Sequence, residues 1–85
     1  MPEISRFLGI VIQMYYTEHG LPHFHAVYGD RKISVEVQTG LVRGSFPPRA
    51  LQHVRDWAQL HQAELLANWE RARKGRPLEP IDPLE

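Results

Sequence analysis

The chain contains no cysteine. That absence excludes disulfide staples, thiolate catalysis and cysteine-ligated zinc, and it fits a reducing compartment. Long apolar runs are missing as well: nothing approaches the ~20 residues that a membrane-spanning helix needs. The start, Met1-Pro2-Glu3-Ile4-Ser5-Arg6, lacks the basic patch and apolar stretch of a secretory leader. A cytoplasmic protein with no membrane association is the expectation. Net charge is the third absence, because ten basic and ten acidic side chains cancel. The field that steers generic nucleic-acid binders is therefore lacking, and nucleic acid falls low among the expected partners. No glycine-rich loop opens a helix to cradle a phosphate, and no complete catalytic signature is present.

What remains is one ordinary globular domain. With 85 residues, 42% of them hydrophobic and 24% charged, the chain can hold a single modest core. Histidine is the informative residue: His19, His23 and His25, three of the five, fall within seven positions. Ile4 to Tyr16 carries apolar residues at alternate positions, broken at Arg6, which reads as a first strand. Thr17 to Pro22 has the composition of an ordered loop. His23 to Tyr28 alternates again, with Phe24, Ala26 and Tyr28 on one face and His23, His25 and Val27 on the other. Gly29-Asp30 supplies a turn, Lys32 to Gln38 is the cleanest strand, and Leu41 to Phe46 is a shorter one after Thr39-Gly40.

At Pro47-Pro48 the period changes from two to three and four. Leu51, Val54, Ala58, Leu65, Trp69 and Ala72 form an apolar stripe flanked by Trp57, Leu60 and Leu66. The stripe predicts one long helix, long enough to favour a kink or break near His61-Gln62, stopped by Lys74-Gly75 and Pro77. Residues 76–85, with Pro77, Pro80 and Pro83, are expected to be an extended, polar tail that adds little to the core of a 1–75 domain. The expected fold is α+β: an antiparallel three- to four-stranded meander packed on one long C-terminal helix.

In that arrangement the helix covers the Phe24 face, and His23, His25 and Glu36 lie on the other. His23 and His25 at i and i+2 place two imidazoles about 6.5–7 Å apart along a strand. Imidazole suits zinc, nickel or copper, so the pair is a candidate metal site. Glu36 falls opposite one of them if Phe24 pairs with Val35 or Val37, His19 is a further candidate ligand, and Tyr15 is a hydrogen-bonding neighbour. No residue is assigned a catalytic role. Trp57 and Trp69, twelve apart, are expected mainly as core, with an exposed indole marking a protein interface. Arg71, Arg73, Lys74 and Arg76 complement a helix C-terminus.

The run Gly9 to Tyr16, then His19, then Pro22-His23-Phe24-His25-Ala26-Val27-Tyr28, resembles the bacterial domain-of-unknown-function family 4160. The resemblance continues through Thr39-Gly40, Pro48-Arg49-Ala50-Leu51, Trp57, His61, Glu64-Leu65 and Asn68-Trp69-Glu70. Leu8 stands where the family often carries Phe, and Leu21 where it often carries a second Pro. The resemblance implies no assigned activity. It implies a small bacterial protein, often encoded beside another small domain of unknown function in a toxin–antitoxin-like pair, and hence a protein partner. The resulting expectation is an interaction module, not an enzyme, that binds a small protein partner, itself, or both, with no obligatory cofactor. The competing reading is a metal-binding or histidine-based hydrolase acting on nucleic acid, which a bound divalent transition metal such as zinc would serve.

Overall fold

The first expected strand is two strands. In the computed structural model, which describes residues 3–16 and 19–84, β1 (Glu3–Phe7) and β2 (Ile10–Gln13) form an antiparallel hairpin. Only Leu8 and Gly9 join them, at φ 52° and 78°. Two successive positive φ values make a type I′ turn, whose twist matches that of the strands it connects. A two-residue turn also reverses the parity of the inward positions, so Phe7 and not Leu8 shares a face with Ile10. A register shift between Glu3 and Ser5 turns Ile4 inward too. Ile4, Phe7, Ile10, Ile12 and Met14 are consequently core, while Leu8 is 52% exposed.

Thr17 and Glu18 of the expected loop lie outside the described residues. Beyond them β3 (His23–Tyr28) and β4 (Arg31–Glu36) form the anticipated hairpin about Gly29-Asp30, with Phe24 opposite Val35 and His23 opposite Glu36. β5 is only Val42–Arg43, shorter than the expected strand. The reason is Gly44, at φ 105°, whose backbone passes so close to β4 that a Cβ would lie 2.9 Å from the Lys32 carbonyl oxygen. The chain bends away there, and Phe46 enters the core. The sheet is an antiparallel meander in the order β1-β2-β3-β4-β5, five strands where three to four are expected. The extra strand comes from the Leu8-Gly9 turn.

Pro48 occupies the first turn of α1 (Pro48–Leu60), where its missing N–H is harmless. The helix does not run on: His61, at φ −119° and ψ 26°, separates it from α2 (Gln62–Arg73). His61 Nδ1 lies 2.5 Å from Glu64 Oε1 in the first turn of α2, where a carboxylate is favoured. The single long helix is thus corrected to two, at the expected point of weakness. α1 buries Ala50, Val54 and Trp57 against the sheet, with the Trp57 ring 5.4 Å from Phe7 and 5.7 Å from Phe24. α2 starts where Gln62 Nε2 donates to the Val37 carbonyl at 3.0 Å, and reaches the start of β3, where the Trp69 ring is 5.0 Å from His23. It therefore lies across one end of the sheet. No helix among the described residues is long and apolar enough to cross a membrane.

The tail is the larger correction. α2 ends in a Schellman motif, with Arg76 N–H donating to the Arg71 carbonyl at 2.8 Å and Gly75 N–H to Ala72 at 3.2 Å. The following segment then packs against the body and adds to its core. Ile81 is buried, Leu78 and Leu84 pack on the core, and Ile81 N–H donates to the Ile4 carbonyl at 2.8 Å beside β1. Asn68, fully buried on α2, donates to the Glu79 carbonyl at 2.8 Å and accepts the Glu79 N–H at 2.9 Å.

Two stability effects follow. Leu8→Asn is expected to raise stability by about 0.5–1 kcal/mol, since Asn tolerates positive φ better than Leu and Leu8 faces solvent; an unchanged or lower urea midpoint would show that Leu8 carries no strain. Asn68→Ala leaves two main-chain groups of Glu79 without their partner and is expected to cost about 2 kcal/mol in the same measurement; a loss within error would mean that water replaces the amide at no cost.

Candidate functional site

Side chains directly opposite each other on neighbouring strands share a face. The register therefore lines up Gln13, His25, Ser34 and Arg43 in one row, Val11, Val27 and Lys32 in a second, and His23 with Glu36 in a third. All lie on the face turned away from α1, and each is half-buried or exposed, in contrast to the buried alternates Ile12, Ala26, Phe24, Ile33 and Val35. Solvent reaches this outer face.

Three rings cross it in sequence, and the buried Trp69 ring of α2 closes the row. Tyr15 is 4.5 Å from His25 between centroids, His25 is 5.3 Å from His23 in an edge-on arrangement, and His23 is 5.0 Å from Trp69. Polar links hold the row at both ends. Tyr15 donates its hydroxyl proton to Gln13 Oε1 at 3.0 Å and accepts one from the Lys32 ammonium, which lies 4.7 Å from the centre of the Tyr15 ring. At the other end His23 Nδ1 lies 2.8 Å from the Leu21 carbonyl. A carbonyl only accepts, so Nδ1 carries the proton and the ring is tied to the loop before β3.

The other candidates sit elsewhere. Glu36 stands opposite His23 in the register, but its carboxylate accepts the Thr39 hydroxyl proton at 2.7 Å and Thr39 Oγ1 accepts the Leu41 N–H at 3.1 Å. It builds the β4–β5 turn. His19 is exposed and lines a groove of about 500 Å³ with Tyr16, Pro22, Trp69, Glu70 and Arg73. Trp69 is shared between that groove and the ring row. Among the described residues no three His, Asp or Glu side chains converge where an ion could be held, so the expected set of His23, His25, Glu36 and His19 does not come together. Trp57 and Trp69 are 0% and 4% exposed, so neither indole offers the exposed anchor that an interface would use. Their helices turn them inward because the sheet needs its inner face and its end covered.

Sequence reasoning missed Lys32, Gln13 and Arg43 on the histidine face. The signal was available, since a Phe24–Val35 register places Lys32 and Ser34 beside Val27 and His25. The groove of Tyr16, Glu70 and Arg73 had no such signal, because it depends on where α2 lies.

With this geometry described, comparison with known proteins gives one finding. A family model described as Domain of unknown function (DUF4160) matches residues 9–70, from the Leu8-Gly9 turn to α2, including all four rings. No curated protein and no solved structure matches. The chain belongs to this family, as the resemblance implied.

Tyr15→Phe keeps the ring but removes the link between Lys32 and Gln13. A cost of about 0.5–1.5 kcal/mol in urea denaturation is expected; no cost would mean that ring packing alone holds the row.

Proposed function

We propose that the protein is a small protein-interaction module, acting as a binder rather than an enzyme, and that the outer face of the sheet is its docking surface. The observation that carries this reading is the row Tyr15–His25–His23, half-buried on a face that solvent reaches and backed at one end by the buried Trp69 ring. Rings whose positions are set by a sheet and by hydrogen bonds lose little freedom on binding, and aromatic side chains are the usual energetic anchors of interfaces. Lys32 and Arg43 border the row and supply charge at a rim, where it sets orientation and partner choice. The partner on this reading is a small protein, the product of a neighbouring gene in a toxin–antitoxin-like pair of a bacterial cytoplasm, or a second copy of the chain. Metal-dependent hydrolysis is supported less well: two imidazoles are adjacent, and no third ligand among the described residues completes the set.

Native mass spectrometry of the untagged protein, alone and co-expressed with its gene neighbour, tests the proposal. A complex is expected whose affinity falls about tenfold in His25→Ala and in Tyr15→Ala. A monomer under both conditions, or a complex indifferent to both substitutions, would remove the proposal. A stoichiometric metal adduct that disappears in His23→Ala would favour the metal reading in its place.

A further inference from the structure

Residues 77–85 read Pro-Leu-Glu, Pro-Ile-Asp, Pro-Leu-Glu: three triplets of a proline, an aliphatic residue and an acid. Proline at every third position favours an extended left-handed helix of three residues per turn, which brings equivalent positions of each triplet onto one face. Burial follows that period. Ile81 is 4% exposed and Leu78 and Leu84 are half-buried against the core, while Pro77, Glu79, Pro80, Asp82 and Pro83 face solvent.

The body holds this strap by its main chain. Asn68 takes both backbone groups of Glu79, donating to the carbonyl at 2.8 Å and accepting the N–H at 2.9 Å. Arg71 donates to the same Asn68 oxygen at 2.9 Å, which fixes which end of the amide faces which group. Trp57 Nε1 donates to the Asp82 carbonyl at 2.8 Å, and the Ile4 carbonyl accepts the Ile81 N–H at 2.8 Å. These four bonds all end on main-chain atoms of the strap, so they specify an extended chain and not a particular sequence. Selectivity comes from three aliphatic side chains spaced by three. Backbone bonds for affinity combined with regularly spaced pockets for choice are the elements of a peptide-recognition site. Trp57 and Asn68 also lie inside the span matched by the family model, whereas the strap lies outside it. The connection between them, Lys74-Gly75, is exposed, and a Cβ on Gly75 would meet nothing within 4 Å. The strap thus joins α2 through an exposed linker, beyond the last helical residue.

We propose that the groove between β1, α1 and α2 is a peptide-binding site for extended Pro-aliphatic-acidic triplets, occupied in cis by residues 77–84 and open in trans to a segment of the same pattern. This site is separate from the ring row and does not rest on the function proposed for it.

The test uses the full chain carrying Ile81→Asp, which removes the central anchor of the strap, and a fluorescent synthetic peptide of residues 76–85 followed by anisotropy. Saturable binding to Ile81→Asp is expected. Binding to the unsubstituted chain is at least about tenfold weaker, because a tethered strap competes at an effective concentration of millimolar order. Adding Asn68→Ala to Ile81→Asp also weakens binding about tenfold. No binding to a folded Ile81→Asp chain, or binding indifferent to Asn68→Ala, overturns the proposal. A second measurement covers the case in which Ile81→Asp does not fold: a protease site placed between Gly75 and Arg76 of the otherwise unsubstituted chain is cut after folding. The body is expected to stay folded while the cut strap exchanges with labelled peptide. Unfolding on loss of the strap overturns the proposal, because the strap would then be core and not ligand.

Discussion

Trp57 ties the sheet, the helix break and the strap together. Its ring lies against Phe7 of β1, Phe24 of β3 and His61 at the helix break, and its N–H reaches the Asp82 carbonyl of the strap. A buried indole supplies much apolar area but brings one donor that must find an acceptor. In this fold the acceptor comes from residues that composition alone assigns to a loose tail. Covering the sheet and docking the strap are thus linked through one nitrogen.

The break at His61 is the second constraint, and it decides where both surfaces form. A continuous helix would carry residues 62–73 onward along the direction of α1. Turning at His61 instead brings α2 across the end of the sheet, where Trp69 meets His23 and Asn68 faces the strap. Asn68 and Trp69 are neighbours about 100° apart around the helix axis. One turn of α2 therefore serves both the ring row and the peptide groove, and the two proposed binding functions share a support without sharing a contact.

The family is described only as a domain of unknown function, so what the side chains engage is the guide to role. His23 and His25 lie among rings, His23 reaches the Leu21 carbonyl, Glu36 is engaged by a turn, and the buried Asn68 and Trp57 side chains bind main-chain atoms of the strap. Such arrangements hold a surface in shape.

Much of this was legible from period and turn chemistry. The histidine strand, its Gly29-Asp30 hairpin, the weak point at His61 and the stop at Gly75 follow from alternation, glycine and helix length, all of them local properties, while the register that sets Glu36 opposite His23 and not His25 was left open. The Leu8-Gly9 turn was hidden because an apolar residue occupies a turn position, and a run of even-numbered aliphatics reads straight through the parity change. The burial of Leu78, Ile81 and Leu84 was hidden because a segment rich in proline and acid is polar on average, and only the body opposite it reveals which third of its residues is covered. Neighbours a few positions apart set the β3–β4 hairpin, the start and stop of the helical region and the face of β3 that carries the histidines. Tertiary structure alone decided that Trp69 completes the ring row, that His19 stands apart from it and that the strap has a groove to occupy. Those outcomes depend on where α2 points after His61, a direction set by packing between residues far apart in the chain.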